Sequence, residues 1–530
     1  MLRFRVTTLV CSAVGLVSYS AFADKSVTDR LSHLEQRIHQ QDEEIQALKA
    51  TPLAKVTFKQ ETPFLHQKTQ PTITSSDGKS SIWPILLAQG DWASYSKSQP
   101  LSMPGIDNLK SSGENIRRAW IGFQGIICTD FGYKIVMDFG GVNGNETAQS
   151  FAGANSLMTI NDGGNSITPF TATTGSGANV QSAWISYTGL LAPFTFRIGV
   201  MSTPANLNDT THPADLLFNE RPTPALLSRD LDAGEGRESV GFIGNGKVWN
   251  ASLFYTGDTY GKGAFIAPAT GSGGAQQGLV GRLVVAPWQC PATYLNVHLG
   301  GNFGYVFRPQ EFTNTQNPGF TTFNIQFADR PELRVDNVTF VNTGPIDAQS
   351  AYSTGLELAL SYGPVMIQGE SFWYGISRNN PGTPVDGITN PKFSGWYVEG
   401  SWTLLGEPRR YNIATGSYTR PSPTKSFNPC CKDWGAWEIV GRYSSTDLDY
   451  DLNSTSKYKY KEPGIGNNSI TISDAIFGGV QHIWSTGINF YPNDVLKFMF
   501  AWQSVHLQNI GAINNNGNYH TFEIRTQISL

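Results

Sequence analysis

The sequence predicts an all-β protein, a sixteen-stranded antiparallel transmembrane β-barrel preceded by a short N-terminal coiled-coil helix. Three observations predict this fold. Apolar and polar residues alternate with period two from about residue 86 onward, short and long connections alternate between these segments, and the last segment keeps its alternation up to Leu530. Only 15% of the residues are charged, yet no run of about 20 apolar residues follows the N-terminus, which argues against a bundle of membrane-spanning helices.

Residues 1–23 have the three parts of a secretory signal peptide. Arg3 and Arg5 form a basic start, Leu9 to Val17 form a short apolar core, and Ala21 to Ala23 supply a small-residue cleavage site. The sequence therefore predicts export across the inner membrane. The formal net charge of −4 gives no indication of nucleic-acid binding.

Residues 24–50 carry a heptad pattern that differs from the rest of the chain. Apolar residues recur at alternating three- and four-residue steps, at Val27, Leu31, Leu34, Ile38, Ile45 and Leu48, with Gln41 at the one remaining position. This narrow stripe predicts a coiled-coil oligomerisation helix, because so short a helix is marginal alone. The alternative is a single amphipathic helix packed on the barrel. Residues 51–85 contain four prolines among Thr, Ser, Gln and Lys, which predicts a linker.

The predicted barrel occupies residues 86–530. In a typical segment, Leu356, Leu358 and Leu360 alternate with Glu357 and Ala359, so one face suits lipid and the other suits water. A soluble β-sandwich would alternate in the same way. Short and long connections separate sixteen predicted strands, which lie near residues 86–97, 116–126, 131–140, 179–188, 194–202, 237–243, 247–256, 276–286, 293–306, 351–362, 364–377, 394–406, 436–450, 478–491, 495–508 and 518–530.

One long connection, residues 406–435, falls where a short periplasmic turn is expected. It contains Cys430 and Cys431, and strand counting places Cys128 and Cys290 in turns at the same end of the barrel. Because the periplasm is oxidising, we expect disulfides from Cys430 and Cys431 to Cys128 and Cys290, which would tie this connection across the barrel mouth. Free thiols, or bridges between neighbouring proteins, are the alternatives, since connectivity cannot be read from sequence.

An ordered series of sequence blocks resembles the phosphate-selective porin O and P family. The blocks run from about residue 116 to residue 530 and include "RRAWIGFQG", "FRIGVMSTPANLND", "LLFNERPTPALL", "VTFVNTGPI", "GLELALSYGPVMIQGE", "FSGWYVEGSWTLLGEPRRY" and "FEIRTQISL". The resemblance implies a homotrimer of sixteen-stranded barrels in the bacterial outer membrane, with loops folded inward to narrow each pore. It also implies a porin, a water-filled channel for passive diffusion of small polar solutes.

The pattern departs from the family in its arginines. The resemblance implies a ladder of closely spaced arginines in phosphate-specific members, but the strand predicted at 276–286 carries only Arg282, and the chain contains no Arg-x-Arg-x-Arg run. Phosphate specificity is therefore not carried over. We expect a weak preference for anions, with phosphate and other small anions as candidate solutes.

Alternation within each strand predicts which charged residues line the lumen. A lone Arg or Lys facing lipid costs about 2–4 kcal/mol at the bilayer midplane, so charged residues should point inward. The long connection 203–236 is the best candidate for an inward loop, because its leucines must be buried; the alternative is that it seals a trimer contact. The predicted solute-binding residues are Arg118, Lys134, Arg197, Arg221, Arg229, Arg282, Arg442 and Lys497. Alternatively, the wall charges pair across neighbouring strands and only stiffen the barrel.

Motifs of catalysis are missing from the sequence. It has no G-x-S-x-G, H-E-x-x-H, P-loop or dinucleotide fingerprint, and His298 and His482, which alternation assigns to the lumen, are far apart in sequence. We therefore expect no enzyme, cofactor or metal site. A structural or adhesive outer-membrane barrel, or an outer-membrane hydrolase, remains the alternative.

Overall fold

The computed structural model is a closed barrel of sixteen antiparallel strands, as the sequence predicts. It describes residues 32–43, 55–59, 70–97, 109–140, 179–259, 275–313, 321–336, 338–379, 389–453, 457–461, 469–473, 475–511 and 514–530. The barrel strands are β1 (Ser81–Lys97), β2 (Ser112–Ile127), β3 (Phe131–Asp138), β4 (Asn179–Leu191), β5 (Phe194–Met201), β6 (Arg237–Asn245), β7 (Trp249–Thr259), β8 (Gln277–Cys290), β9 (Leu295–Arg308), β10 (Ile346–Tyr362), β11 (Val365–Arg378), β12 (Lys392–Leu405), β13 (Ala436–Tyr450), β14 (Ile476–Tyr491), β15 (Leu496–Gln508) and β16 (Gly517–Ser529).

The barrel closes because β16 pairs with β1. Their register runs from Tyr519 opposite Lys97 to Ser529 opposite Leu87, and every other strand pairs with its neighbour in sequence. Closure leaves no free strand edge along this register, which a chain in lipid requires because the bilayer core offers no water to unpaired backbone groups.

The burial of side chains along each strand explains why this sequence forms a barrel. In β10, Leu356, Leu358 and Leu360 are 61%, 58% and 44% exposed, while Glu357 and Ala359 between them are buried. The exposed face is apolar and the buried face is largely polar, the reverse of a soluble β-protein. None of the described helices has both the length and the apolar character needed to cross a membrane.

The first strand begins earlier than the sequence predicts. Residues Gln70–Thr74 form a short strand that pairs with the start of β1 through Ile73 and Ile82, so part of the predicted linker 51–85 belongs to the sheet. Pro84 lies inside β1 opposite Phe123. It lies near the start of β1, where the strand pairs with Gln70–Thr74 and not yet with β16, and its ring removes one backbone donor from the strand.

The remaining described elements are short. Two helices lie between β5 and β6, α2 (Leu207–Thr210) and α3 (Thr223–Asp232), and a 3-10 helix spans Pro429–Cys431. Short strands outside the barrel wall are Lys55–Lys59, Glu311–Thr313, Thr321–Ile325, Ala328–Asp329, Val341–Asn342, Tyr411–Asn412, Ser417–Tyr418, Lys457–Lys461 and Ser469–Ser473.

The N-terminal part of the chain contains a helix, α1, at residues 32–43. Leu34 and Ile38 of the predicted seam are 56% and 59% exposed on this helix. The helix is therefore present and its seam is uncovered in the single chain, while the coiled coil remains a prediction. The predicted signal peptide, residues 1–23, lies outside the described residues.

Candidate functional site

A long connection between β5 and β6, residues 202–236, folds into the barrel interior; we call it the inner loop. Leu216, Leu217, Phe218, Leu226 and Leu227 are all buried, as the sequence predicts for an inward loop. Its helix α3 packs against strands β8 to β13. The leucines are thus covered within one chain, and a trimer contact is not needed to bury them.

The wall holds the extended stretch 213–220 of the inner loop by its backbone carbonyls. These carbonyls lack helix or strand partners, so buried donors must satisfy them. The Lys497 ammonium donates to the Leu216 carbonyl at 2.6 Å and the Arg442 guanidinium donates to the Glu220 carbonyl at 2.9 Å. Gln89, Asn489, Arg525 and Gln527 donate to the carbonyls of Pro213, Leu217, Asn219 and Ala214. Lys497 and Arg442 therefore serve to anchor the loop.

Glu220 is the centre of charge in the inner loop. Its carboxylate accepts from Arg117 Nε at 2.6 Å and from Arg525 at 3.2 Å, and it lies 3.9 Å from Arg118. A register shift in β2 allows consecutive arginines to reach it, because Arg118 pairs with Gln89 whereas Ile116 pairs with Gly90. Arg118 is buried in this network and also donates to Gln89. Its charge is thereby neutralised inside the wall.

Arg221 and Arg229 do not face the lumen wall as the sequence analysis expected. The Arg221 guanidinium donates to the carbonyls of Asn208, Asp209 and Thr211. Arg229 pairs with Asp209 at 2.6 Å and with Asp230 and Glu235 at 3.2 Å each. Both side chains are buried, and a buried guanidinium needs neutralising partners. The prediction that they form a cationic patch for solute is therefore wrong; they close the loop on itself.

A second inward segment, residues 326–345, lies between β9 and β10. Glu332 in this segment accepts from the backbone N–H of Thr223 at the start of α3 and pairs with Arg442 of β13. Pro222 offers no side-chain cap there, so Glu332 supplies the missing acceptor and favours the helix dipole. The segment thus fixes the inner loop from the side of the long connections.

The connection 406–435 enters the barrel from the short-turn end; we call it the strap. On one side, Arg282 donates to the carbonyls of Thr415 and Gly416, and it pairs with Glu357 at 2.7 Å. On the other side, Arg409 pairs with Glu438 of β13 at 2.6 Å. Further contacts join Asn250 to Ala414, His298 to Tyr411 and Arg420 to Ser529. The strap therefore crosses the barrel, and Arg282 anchors it.

The four cysteines in the described residues are free thiols, so the predicted disulfides are not formed. The strap uses its length to enter the lumen, and its end is then fixed beside the turn after β14, where the Phe427 N–H donates to the Pro492 carbonyl at 2.6 Å. Cys430 and Cys431 lie next to this point, while Cys128 and Cys290 belong to other hairpins. The separation of these hairpins prevents the expected bridges.

We predict that maleimide labels the folded, non-reduced protein at Cys128, Cys430 and Cys431 readily and at Cys290 more slowly, because Cys290 alone is half-buried. Labelling after denaturation should modify all four and provides the control. Recovery of Cys128 or Cys290 in a disulfide-linked peptide would contradict this structure.

Two predicted lumen cations, Lys134 of β3 and Arg197 of β5, differ from the others. Both are half-buried, whereas Arg118, Arg282, Arg442 and Lys497 are buried. Within the described residues, neither has a carboxylate at salt-bridge distance, and Arg197 Nε has no hydrogen-bond partner. Trp184 of β4 lies opposite Lys134 in the sheet, and the Arg197 guanidinium lies 4.2 Å from its ring centre. We call Lys134, Trp184 and Arg197 the basic wall site.

The carboxylate of Glu235 acts on the basic wall site, since it attracts Lys134 electrostatically. Burial alone would raise the pKa of Glu235, but Arg229, Arg118 and Arg117 outweigh burial and lower this pKa to about 2. Glu235 is therefore ionised near neutral pH, and its charge is shared among several arginines. It reduces the positive potential beside Lys134 without cancelling both cations.

Comparison with known proteins identifies the family. The sequence profile described as "Phosphate-selective porin O and P" matches residues 99–530, most of the chain. The chain belongs to the phosphate-selective porin O and P family. The resemblance seen in the sequence blocks is thereby confirmed.

Individual relatives of this porin are distant. It is 26% identical over 164 residues to Porin O of Pseudomonas aeruginosa and 22% identical over 248 residues to an uncharacterized protein of Caulobacter vibrioides. These matches cover 31% and 47% of this chain and span 31% and 41% of the two relatives.

Solved structures give only a general likeness. An anion-selective porin from Comamonas acidovorans matches 85% of this chain and 100% of its own at 11% identity and a TM-score of 0.45. OprB of Pseudomonas putida matches 85% of this chain and 94% of its own, at 10% identity and a TM-score of 0.46. The fold assignment therefore rests on the strand pairing and on the family.

Membership of this family locates the protein in the bacterial outer membrane, and the apolar outer face of the barrel agrees with that location. Alternation in the sequence predicts that the wall cations face the lumen. It did not reveal which of them are neutralised, because their partners lie on distant strands and on inward segments.

Proposed function

We propose that this porin conducts small anions and other small polar solutes, with a weak anion preference set by Lys134 and Arg197. The observation that supports this most strongly is the contrast among lumen cations. Of the eight solute-binding residues predicted from the sequence, these two are half-buried and have no carboxylate within salt-bridge distance among the described residues. A solute in the lumen can therefore interact with their charges.

The buried charges contribute little to selectivity in this proposal. Arg525 pairs with Asp91, Arg282 with Glu357, and Arg409 with Glu438, each at 2.6–2.7 Å. A close pair of opposite charges produces a much weaker field at a distance than a single charge, and salt screens the remainder over about 10 Å at 0.1 M. Selectivity then depends on the accessible, unpaired groups in the wall.

The passage runs, in this proposal, along the wall of β3, β4 and β5. The inner loop is anchored by α3 to β8–β13, and Lys497, Arg525 and Gln527 hold its stretch 213–220 on the β15 and β16 side. On the other side, Ala214 packs against Leu87, Trp120 and Val136 of β1, β2 and β3. The basic wall site lies closer to the short turns on β3 and β5.

The chemistry of the basic wall site favours weak and general anion binding. Trp184 supports the face of the Arg197 guanidinium, which leaves the edge donors to meet an oxyanion or a halide. Lys134 adds a second positive charge near Arg197. Two cations attract an anion without enclosing it, and conduction requires binding weak enough for release. Phosphate is one candidate solute among several small anions.

A liposome-swelling assay tests the proposal. Vesicles containing the purified protein should swell in small polar solutes, faster for small organic anions than for cations of equal size, and more slowly as solute size increases. Vesicles without protein are the control. Absence of swelling with correctly inserted protein would instead favour a structural or adhesive barrel.

We further propose that the porin is a homotrimer held in part by residues 24–50. The exposed Leu34 and Ile38 of helix α1 support this, because an uncovered apolar seam is stabilised by a second helix.

Deleting residues 24–50 is expected to lower the temperature at which the trimer dissociates, without abolishing swelling, because the barrel wall closes within one chain. Native gels at graded temperature measure this, and replacing Gln36 and Gln40 by alanine, which leaves the seam intact, is the control. If the intact protein is monomeric in membrane extracts, the trimer proposal is wrong.

A further inference from the structure

Three of the eight histidines of the chain lie close together on the outer surface of the barrel. His482 of β14 is directly opposite His506 of β15, and His520 of β16 is opposite Ser504. His482 shares its face with Trp484, which is 57% exposed, while the alternate residues Gln481 and Ile483 are buried. The sequence analysis placed His482 in the lumen, and this was wrong. We call His482, His506 and His520 the histidine patch.

The histidine patch borders a band of exposed tryptophans. Trp484 lies two residues after His482 and Trp502 four residues before His506, each on the same strand face as its histidine. Trp92 and Trp396 are exposed on β1 and β12. Tyr443 joins the band, with ring centres 4.5 Å from Trp484 and 5.2 Å from Trp396. Aromatic girdles mark the membrane–water interface of outer-membrane barrels. The patch thus lies at the interface toward the long connections, at the depth of lipid headgroups.

The contacts of the histidines leave donors available to a ligand. His506 uses both ring nitrogens, on Asn518 at 3.0 Å and on Ser504 at 3.3 Å. His482 uses Nδ1, 3.2 Å from the Tyr443 hydroxyl, and His520 Nδ1 has no hydrogen-bond partner among the described residues. The His520 ring stacks on Trp502 at 5.4 Å. Nε2 of His482 therefore remains for an external partner, whereas Nδ1 of His520 is shielded from solvent.

The charges around the histidine patch are few. Asp447 on β13 attracts His482, and His506 repels it when both are protonated. Tyr443 faces His482 from β13, Asn518 faces His506 from β16, and Ser96 of β1 is opposite His520. Up to three positive charges therefore face Asp447, while Asp449, two residues farther along β13, accepts hydrogen bonds from Gly479 and Asn509. The balance favours an anion when the histidines are protonated.

We propose that the histidine patch binds the phosphate groups of anionic lipid headgroups in the outer leaflet, in its protonated form. An imidazolium donates charge-assisted hydrogen bonds to phosphate oxygens, and Ser504 and Asn518 lie beside it. Because an imidazole carries charge only when it is protonated, this binding should be stronger in acid than near neutral pH. The patch would thus bind lipid headgroups to the outer surface of the porin, and it would bind them more strongly in acid. This inference is independent of the solute that the lumen conducts.

Native mass spectrometry of the full-length protein tests the proposal. The protein is reconstituted with a bisphosphorylated lipid A or with its dephosphorylated counterpart, and retained lipid is counted at about pH 5.5 and about pH 7.5, on either side of the ordinary histidine pKa. At the lower pH, we expect the protein to retain the phosphorylated lipid and not its dephosphorylated counterpart. At the higher pH, we expect it to retain neither. Each protonated histidine should contribute about a fivefold difference, as for single cations near an anionic membrane surface.

Variants separate charge from structure. The triple variant H482Q/H506Q/H520Q should lose retention at both pH values, and H482K/H506K/H520K should retain the lipid at both. The variant H33Q/H39Q, altered in helix α1 and not in a barrel strand, is the control and should behave as the parent protein. Equal retention by the parent and the triple glutamine variant at the lower pH overturns the proposal, as does retention that needs a divalent metal and not phosphate.

Discussion

Replacing Lys134 and Arg197 together by glutamine is expected to move the reversal potential in a salt gradient toward that of a cation-selective channel. These residues are the half-buried cations of the basic wall site, and within the described residues no carboxylate pairs with either. A unit charge about 4 Å from a passing ion contributes about 1 kcal/mol in water. The ratio of anion to cation permeability should therefore fall by about fivefold for each charge removed. Single-channel recording of the double variant measures this.

The matched control for that experiment removes the same charge elsewhere. Lys247 and Lys432 are exposed in connections at the short-turn end, outside the strands of the barrel wall. The variant K247Q/K432Q should keep the parent reversal potential. If K134Q/R197Q also keeps it, the basic wall site has no part in selectivity and the passage lies elsewhere in the lumen.

Replacing Glu220 by alanine is expected to loosen the inner loop and to increase both the conductance and its noise. The change leaves Arg117, Arg118 and Arg525 close together without the carboxylate that they share. Breaking a buried ion pair by removing one partner costs about 3–5 kcal/mol, which is comparable to the stability of a single loop. The barrel should persist, since its strand pairing does not depend on Glu220.

An exposed ion pair provides the comparison for Glu220. Glu407 and Arg410 lie 2.9 Å apart at the start of the strap with much of both side chains exposed, and such pairs contribute about 0–1 kcal/mol. Glu407→Ala should leave conductance and protease resistance unchanged. Limited proteolysis with trypsin should cut the inner loop after Arg229 in the Glu220 variant only, since the bond after Arg221 precedes Pro222 and resists trypsin. A quiet, parent-like channel in that variant would show that the wall donors to carbonyls 213–220 suffice to hold the loop.

The strands of this porin could be predicted from sequence because lipid and water impose a two-residue period on every strand. The prediction of strand ends and of side-chain direction was weaker where apolar and polar residues do not alternate. Pro84 appeared to belong to a linker, but it lies inside β1, opposite Phe123 of β2. His482 was assigned to the wrong face, because the strand containing it offers mixed residues on both sides.

The roles of the lumen charges were harder to predict because their partners are distant in sequence. Arg525 pairs with Asp91, 434 residues away, and Arg282 with Glu357, 75 residues away. No local pattern contains such pairs. For Arg221 and Arg229 a signal did exist, since Asp209, Asp230 and Glu235 occur in the same loop. A buried loop with this many acids is expected to neutralise its own arginines before it offers them to a solute.

The cysteines illustrate a related limit. Strand counting placed Cys128, Cys290, Cys430 and Cys431 at one end of the barrel, and the structure agrees with that placement. It could not show that the strap enters the lumen and is then fixed beside Pro492. The path of a thirty-residue connection depends on tertiary contacts such as those of Arg282 and Arg409, which period and composition do not encode.

Single-channel recording of the parent protein in planar lipid bilayers tests the central claim most directly. Purified protein is added to a bilayer separating two concentrations of potassium chloride, and the current is measured as a function of voltage. We expect discrete conductance steps and a reversal potential of the sign set by chloride. The displacement from zero should be modest, because the negative charge of Glu235 partly offsets the two cations in the lumen wall. A lack of conductance steps, or a reversal potential of the sign set by potassium, would contradict it.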